Sequence, residues 1–493
     1  MQSIDETESR GATAGRGASN VVTRRGFVKV GAGLLGAGGV AAIGLGAVGI
    51  GGVSGAQDGA TPGATPIGDV DVDGDGFIEP RVLTSADGFL AVKLEAAPDA
   101  AAGPSRVAYE QSIPGPTLRV KQGDQLNIAL VNSLGGDDTN LHVHGMHVSP
   151  KDNSDNIFVH VANGQTFNYS YAIPADHPPG LYWYHPHSHG DSSQQVSGGL
   201  AGAIIVEGAL DDLPEIAALK DRLLVLQGPF LGPDHQVQYL VNGQINPEIP
   251  IRPGETQRWR ILNASANAFF NLQLVRHPFH EIGTDGNPRP EAETKELLLL
   301  GPAERSEVLI QGGAPGIYEL RSLSWAEDVP SQAQPQFVVA TLVSGGEPVQ
   351  AMALPTTLID REDLSTSVVD VERTIVFQEN SAAPVFAIDG KAFAMDRVDQ
   401  TVNLGALEEW TLRNTSPEWH PFHIHVNDFQ VMSRNGRPEP RTYEDTSRIP
   451  PNGELIIRTR FTDFDGKFVY HCHILGHEDA GMMGVVEVVD PNA

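Results

Sequence analysis

Histidines spaced two residues apart are the feature of this sequence that could do chemistry. Four segments carry the pattern His-x-His, and their members are His142 and His144, His185 and His187, His423 and His425, and His471 and His473. In a β-strand, residues i and i+2 point to the same face, so each pair can present two imidazoles to one place. Together these imidazoles suit two or three transition-metal ions. The pattern therefore predicts a multinuclear metal centre.

The sequence contains one cysteine, Cys472, which lies between His471 and His473. A single thiol forms no disulfide within the chain, and a lone cysteine is most often a small buried hydrophobe. Strand alternation turns this side chain away from the two flanking imidazoles. If those imidazoles reach one metal cluster, the thiolate faces a second site across the strand. The two sites are then joined through a single residue on each side, which is a short path for electrons.

A second site of this kind needs further ligands near Cys472. His420 begins the segment HPFHIH, while His477 and Met482 follow Cys472 at short distances, with Met483 as an adjacent alternative to Met482. Two histidines, one cysteine and one weakly bound methionine form a blue-copper electron-transfer site. Zinc also accepts histidine and cysteine ligands, but a zinc site has no use for the additional paired histidines beside it.

One ten-residue phrase occurs three times in the chain. It reads GDQLNIALVN at 123–132, GETQRWRILN at 254–263 and GALEEWTLRN at 405–414. Each copy begins at a glycine turn, continues as an alternating strand and ends at Asn, and a strand containing His follows each one. Such wide spacing is the length of a domain rather than of a solenoid repeat. With many Gly and Pro residues and little helical periodicity, the sequence predicts an all-β fold of three Greek-key β-sandwich domains.

The domain boundaries are expected near residues 210 and 360, which gives domains at 76–210, 211–360 and 361–493. The paired histidines fall in the first and third domains. In the middle copy, the segment RHPFHEI has Ile282 where a third histidine would stand. We therefore expect a middle domain without copper ligands that acts as a spacer, and a metal cluster at the interface of the outer two domains.

The segments HVHG, HPHSHG, HPFHIH and HCHILGHEDAGMM resemble the four copper-binding segments of the multicopper oxidases, in particular the three-domain, laccase-like members. The resemblance covers essentially all of the chain beyond its N-terminal segment. It implies cupredoxin-like domains and four copper ions, of which one is type 1, one is type 2 and two are type 3. It also implies one-electron oxidation of a reducing substrate, coupled to the four-electron reduction of O2 to water.

The resemblance implies a place for each ligand. The type 1 copper would be held by His420, Cys472 and His477, with Met482 as the axial ligand, which usually lowers the potential of such a site. The type 2 copper would be held by His142 and His423. The type 3 pair would be held by His144, His185, His187, His425, His471 and His473.

Reduction of O2 also consumes protons, which acidic residues near the cluster supply in related enzymes. Glu478, directly after His477, matches one such position. Asp155 is a weaker match to a second position, and Asp152 competes with it. By the same resemblance, electrons are expected to enter at an exposed edge of His477.

The N-terminal residues 1–56 resemble a twin-arginine export signal. Arg24 and Arg25 precede a mildly apolar run rich in Gly and Ala, and small residues end it at Ala56. A membrane anchor is the alternative, although the many glycines make a poor membrane span. Residues 57–75 are expected to be a flexible linker. The prediction is an exported protein that is periplasmic, cell-surface or secreted and has no stable membrane anchor.

The net charge of -29 disfavours nucleic acids and anionic membranes as partners. This charge could attract cationic substrates or metal ions, or it could serve solubility alone.

Phenol- or amine-type donors are the expected substrates. The first alternative is a metallo-oxidase of Cu(I), Mn(II) or Fe(II), although the methionine-rich insert common in Cu(I)-oxidising members is not visible among only seven Met. The second is a copper-free envelope or division scaffold of the same fold, but such proteins lack the ligands. The third is a copper nitrite reductase, which is usually shorter and lacks the full set of His-x-His segments.

Overall fold

The computed structural model describes residues 76–99, 105–232 and 236–492. The predicted export signal at 1–56 and the predicted linker at 57–75 lie outside the described residues. Strands account for 48% of the described residues and helices for 5%, so the predicted all-β fold is confirmed. No helix within the described ranges combines the length and the apolar character needed to cross a membrane.

The first sandwich spans residues 82–207. Its strands are β1 (Val82–Thr84), β2 (Phe89–Pro98), β3 (Val107–Tyr109), β4 (Thr117–Lys121), β5 (Gln125–Asn132), β6 (His142–His144), β7 (Thr166–Ala172), β8 (Gly180–His185) and β9 (Gly202–Glu207), and helix α1 (Ser192–Gly198) precedes β9. One sheet has the order β1-β4-β9-β8-β6 and the other β3-β2-β5-β7. A single apolar core contains residues from both sheets, such as Leu118 and Leu126.

The second sandwich spans residues 220–344 and is preceded by helix α2 (Pro214–Ala217). Its strands are β10 (Lys220–Leu231), β11 (Val237–Val241), β12 (Glu248–Ile251), β13 (Thr256–Asn263), β14 (Phe270–Leu274), β15 (Phe279–Thr284), β16 (Asn287–Lys295), β17 (Leu298–Leu300), β18 (Arg305–Gln311), β19 (Gly316–Leu323) and β20 (Phe337–Ser344). The sheet orders are β11-β10-β13-β18-β15-β16 and β12-β20-β19-β14-β17. Its core joins both sheets through residues such as Trp259 and Leu272.

The third sandwich spans residues 371–489 and follows a 3-10 turn at Leu364–Thr366. Its elements are β21 (Val371–Glu379), β22 (Phe386–Ile388), β23 (Gln400–Asn403), β24 (Leu407–Asn414), β25 (His420–Ile424), β26 (Phe429–Arg434), β27 (Arg437–Pro438), β28 (Tyr443–Glu444), β29 (Thr446–Ile449), β30 (Glu454–Arg460), β31 (Gly466–Cys472), α3 (Leu475–Asp479) and β32 (Met483–Val489). One sheet has the order β22-β21-β24-β30-β26-β27, with β28 also paired to β26, and the other β23-β32-β31-β25-β29. The expected boundaries near 210 and 360 fall between the three sandwiches and remain predictions.

The repeated phrase forms the same element in each sandwich. Strands β5, β13 and β24 each pair in parallel with an earlier strand on one side and antiparallel with a later strand on the other. The terminal residues Asn132, Asn263 and Asn414 are buried, and each donates hydrogen bonds from Nδ2 to two or more backbone carbonyls later in the chain. The final Asn therefore satisfies buried carbonyls where each strand ends.

Clusters of apolar residues join the sandwiches to one another. Ile157 of the first sandwich packs with Val469, Met483 and Val485 of the third. A second cluster joins the first sandwich to the middle one, including Trp183. These contacts bring the histidine-bearing strands β6 and β8 close to β25 and β31.

Candidate metal centres

Adjacent antiparallel strands carry the paired histidines in each outer sandwich. In the first, His142 of β6 is the register partner of His185 in β8. In the third, His423 of β25 is the register partner of His471 in β31. Rings from the two sandwiches then meet face to face: the His142 centroid lies 3.8 Å from that of His425, and the His144 centroid 3.7 Å from that of His423.

All eight paired histidines are buried. Their side-chain nitrogens form groups in which the ligand atoms lie within 4.8 Å of one another. These groups are His144, His185 and His473; His187, His425 and His471; and His142, His144 and His423. The first two groups together are the six residues predicted for the type 3 pair, and the third contains both residues predicted for type 2 copper.

Unpaired nitrogens at this centre fit a bound metal. His142, His185 and His423 each have a buried Nε2 without a hydrogen-bond partner, and both ring nitrogens of His425 and His473 are unpartnered. Buried polar atoms nearly always have partners, and leaving one unsatisfied costs about 1–3 kcal/mol. Burial, the largest cause, also lowers the pKa of these side chains, so the imidazoles are neutral. Neutral imidazole lone pairs gathered in one place are the donors that copper prefers.

The remote nitrogens of several rings are fixed by hydrogen bonds. His142 Nδ1 lies 2.9 Å from Asp155 Oδ2, His185 Nδ1 2.9 Å from the Pro186 carbonyl, and His471 Nδ1 3.1 Å from the Cys472 carbonyl. Because carbonyl oxygens only accept, the protons of His185 and His471 reside on Nδ1, and their lone pairs are on Nε2. The Nε2 of His185 has no hydrogen-bond partner, whereas that of His471 lies 3.2 Å from His187 Nε2.

Cys472 faces a separate site. Its Sγ lies 3.4 Å from His420 Nδ1 and 3.7 Å from His477 Nδ1, and the two Nδ1 atoms are 3.4 Å apart. His471 and His473 project into the histidine cluster instead, so the thiol and its flanking imidazoles lie on opposite faces of the strand as predicted. Burial raises the pKa of the Cys472 thiol and, as the main cause, lowers the pKa of His477 to about 3. Both side chains are therefore uncharged without a metal, which binds such a thiol as the thiolate.

Met482 and Met483 lie in different cores. Met482 belongs to the apolar core that contains Cys472, and its backbone carbonyl accepts a hydrogen bond of 3.0 Å from the Cys472 amide. Met483 packs against Ile157 and Val485 at the interface of the sandwiches. The arrangement favours Met482 over Met483 as the axial ligand.

The two predicted proton donors contact different histidines of the cluster. Glu478 is fully buried, with Oε1 3.5 Å from His187 Nδ1 and Oε2 3.3 Å from His471 Nδ1. Burial raises the pKa of Glu478 well above its usual range and, as the main cause, raises that of Asp155 to about 8. Each carboxyl can therefore hold a proton at neutral pH. The competing Asp152 is exposed.

Several contacts around the Cys472 site were missed by the sequence analysis. His420 Nε2 lies 2.6 Å from Ser416 Oγ and 3.2 Å from Glu379 Oε1, and His477 Nε2 lies 3.6 Å from Glu418 Oε2. The His477 side chain is 12% exposed, whereas His420 is fully buried. Ser416 and Glu418 could have been found because they directly precede HPFHIH, but Glu379 comes from a distant strand.

Phe386, which the sequence analysis did not single out either, stacks on the His477 ring with a centroid distance of 4.2 Å.

In the middle sandwich, His277 uses both ring nitrogens in backbone contacts, with Val275 O and the Gly313 amide. These contacts occupy both ring nitrogens of His277, and the absence of copper from the middle domain remains a prediction.

Asp445 and Arg305 were also missed. Asp445 Oδ1 lies 3.0 Å from His144 Nε2, and the buried Arg305 of the middle sandwich forms an ion pair with the same carboxylate. No motif marks either residue, because the contact depends on how the three sandwiches assemble.

Family models described as multicopper oxidase match residues 93–211, 218–346 and 366–492 of this chain. Together these segments span most of the described residues and contain all of the predicted ligands.

Individual relatives cover most of the chain. The cell division protein FtsP of Xenorhabdus nematophila is 31% identical, over 76% of this chain and 83% of its own length. A solved multicopper oxidase from Campylobacter jejuni, described as a metallo-oxidase, is 29% identical with a TM-score of 0.70, over 85% of this chain and 97% of its own. A solved laccase from Pediococcus acidilactici is 27% identical with a TM-score of 0.72, over 87% and 95%.

Proposed function

Because this chain belongs to the multicopper oxidase family and is a copper-dependent oxidase, we propose that its predicted ligands hold one type 1, one type 2 and two type 3 coppers. One observation carries the proposal: the buried imidazoles of His471 and His473 and the buried thiol of Cys472 lie on opposite faces of β31 and the residue that follows it. When bound, copper supplies the redox chemistry by which single electrons from a donor are used to reduce O2 to water.

The chain's own residues organise this chemistry. Cys472 is covalently joined to His471 and His473, so electrons have a path of one residue from the type 1 site to the cluster. Glu478 and Asp155 hold protons beside the cluster histidines, on Oε and Oδ atoms that bulk water does not reach. Burial of the cluster histidines also shields the centre from bulk solvent.

We propose phenol- or amine-type donors as the substrates. The partly exposed His477 is the only one of the three strong type 1 ligands with an accessible side chain, since His420 and Cys472 are buried. Phe386 stacks beside it and gives the exposed edge an aromatic neighbour. An aromatic donor can pack against such a surface with its ring close to the imidazole.

The test is O2 uptake by the copper-loaded chain, with phenols, aromatic amines, Cu(I), Mn(II) and Fe(II) as donors and peroxide measured in parallel. We expect turnover with aromatic donors and no accumulation of peroxide. Cys472→Ser is the matched control, because it removes the type 1 thiolate and leaves the cluster histidines in place. Absence of uptake with every donor, or peroxide as the main product, would contradict the proposal.

A metallo-oxidase is the second candidate, and two carboxylates favour it. Glu379 and Glu418 lie beside the two type 1 imidazoles. Negative charge at this edge would attract a cationic donor more than a neutral phenol. Under this alternative, Glu418→Gln raises the KM for a metal ion several-fold and leaves that for a neutral phenol unchanged. Glu487→Gln, on strand β32, is the control for loss of one carboxylate.

FtsP is a relative named for cell division, so a scaffold role is a further alternative. The complete ligand set of this chain favours the oxidase, and a metal assay that finds no copper would favour the scaffold.

We also propose export by the twin-arginine route. Replacement of Arg24 and Arg25 by Lys should retain the protein inside the cell, as measured by fractionation.

A further inference from the structure

One carboxylate outside all of the histidine motifs contacts ligands from both outer sandwiches. Asp445 is 2% exposed and lies between β28 and β29. Its Oδ1 lies 3.0 Å from Nε2 of His144, which belongs to the first sandwich. Its backbone carbonyl lies 2.8 Å from Nδ1 of His423, which belongs to the third.

These two contacts decide which nitrogens are free. Carboxylate and carbonyl oxygens can only accept, so the proton of His144 is on Nε2 and that of His423 is on Nδ1. The opposite nitrogens, His144 Nδ1 and His423 Nε2, are both buried and have no hydrogen-bond partner. Asp445 thus leaves one lone pair on each ring directed into the cluster, and the two rings use different nitrogens. Such outer partners fix both the tautomer and the orientation of a metal ligand.

Asp445 is held in turn by the middle sandwich. Arg305 of β18 is fully buried, and its Nη1 and Nη2 donate to Asp445 Oδ1 and Oδ2 at 2.7 and 2.5 Å. Its Nε donates to the carbonyl of Leu181 in the first sandwich. Asp285 of the middle sandwich accepts from the Arg305 amide through Oδ1, at 2.8 Å, and from the Asp445 amide through Oδ2, at 3.3 Å. The two parallel hydrogen bonds from the Arg305 guanidinium form a fork that fixes both the position and the angle of the Asp445 carboxylate.

Gly145, the last residue of HVHG, lies directly against the Arg305–Asp445 ion pair, and its lack of a side chain leaves room for the pair. A Cβ at Gly145 would lie 2.2 Å from Asp445 Oδ2 and 2.5 Å from Arg305 Nη2. The backbone there also has a φ of 81°, which side chains rarely adopt. The first histidine motif is therefore shaped to receive the pair.

We propose that the Arg305–Asp445 ion pair is a positioning device for the trinuclear copper site, through which the copper-free middle sandwich fixes His144 and His423. The inference rests on the proposed function. Asp445 and Arg305 are positioning residues, because they act through the histidines. Among the described residues, the hydrogen bonds and ion pairs of His420, Cys472 and His477 involve neither Asp445 nor Arg305.

The test uses Asp445→Asn and Arg305→Lys in the full-length copper-loaded chain. Both variants keep most of the side-chain volume, while the first removes the anion and the second removes the fork. The readouts are the type 2 signal in electron paramagnetic resonance, the blue type 1 absorption and the chelator concentration that removes cluster copper. Loss of an outer partner typically weakens metal binding by about 10- to 100-fold. We therefore expect an altered type 2 signal and easier removal of cluster copper, with the blue absorption unchanged.

Arg258→Met is the matched control. Arg258 is a buried arginine of the same sheet that forms an ion pair with Glu307. The Arg258→Met variant should have a lower free energy of unfolding and an unchanged type 2 signal. Wild-type signal and chelator resistance in both test variants would overturn the proposal, as would an equal loss of cluster copper in Arg258→Met. A wild-type chain that binds no cluster copper would overturn the proposed function instead, and the positioning role with it.

Discussion

Glu478→Gln isolates the contribution of one proton donor to O2 reduction. Glutamine has the shape of a protonated glutamic acid and cannot transfer a carboxyl proton. Glu478 is fully buried against His187 and His471, and burial raises its pKa well above the usual range, which favours the protonated carboxyl. The substitution therefore changes proton supply and leaves charge and packing close to wild type.

The size of the effect follows from the presence of a second donor. General acid catalysis contributes about 10²- to 10⁴-fold to a rate. Asp155 contacts His142, a different histidine of the cluster, and remains in the variant, so we expect the lower end of this range. A rate about 10²-fold lower corresponds to about 2.7 kcal/mol in activation free energy. Glu478→Gln with Asp155→Asn should lose more than either variant alone.

The assay separates the two halves of the reaction. Anaerobic reduction by a donor is followed through loss of the blue absorption, and its rate should match the wild type. Reoxidation of the reduced protein by O2 is followed through return of that absorption, and its rate should fall. Copper content must equal that of the wild type. Glu487→Gln, a carboxyl on β32 away from the cluster, is the control for general effects of charge removal.

Reoxidation of Glu478→Gln at the wild-type rate would refute the proton-donor role. A slower reduction phase with normal reoxidation would also refute it, because Glu478 would then act on the type 1 site. A variant with lower copper content would instead assign Glu478 to orientation of His187 and His471.

Three further outcomes are expected. Cys472→Ser should abolish the blue absorption and retain the type 2 signal, because the cluster histidines project from the other face of β31. Met482→Leu should raise the type 1 potential measured by redox titration, since an axial thioether stabilises oxidised copper, whereas Met483→Leu should not. Burial raises the pKa of Glu304 to about 7 from 4.5, despite the opposing charge of Arg448, so folded stability should fall as pH rises between these values, by at most about 3 kcal/mol. Unfolding midpoints at pH 5 and pH 8 should differ less in Glu304→Gln than in the wild type.

Local periodicity was enough to predict that Cys472 faces away from the two histidines beside it. The spacing of His471, Cys472 and His473 fixes their faces once the segment is a strand, whatever surrounds it. The final asparagine of the repeated phrase is also a local feature, because in all three sandwiches its side chain donates hydrogen bonds to backbone carbonyls later in the chain. Such inferences need only the local conformation, and the structure preserves it.

Contacts that depend on assembly could not be predicted in this way. Asp445 reaches His144 only because the third sandwich packs on the first, and Arg305 reaches Asp445 only because the middle sandwich packs on both. Glu379 approaches His420 from the distant strand β21. Nothing in the residues next to these side chains marks their partners, since strand order and sandwich packing are properties of the whole chain.

The thiol and the imidazoles of β31 face different sites only if the register of the strand is fixed. A slip of one residue would exchange their faces. Burial alone does not fix it, since both faces of β31 are apolar and buried. A cross-strand pair supplies the missing constraint. Tyr470 is the register partner of Gly484, where an added Cβ would lie 2.6 Å from the tyrosine ring. Tyr184 has the same relation to Gly202 in the first sandwich, at 2.2 Å. In each case the tyrosine directly precedes a ligand histidine, so only the native register places a glycine beneath its ring and the next side chain in the cluster.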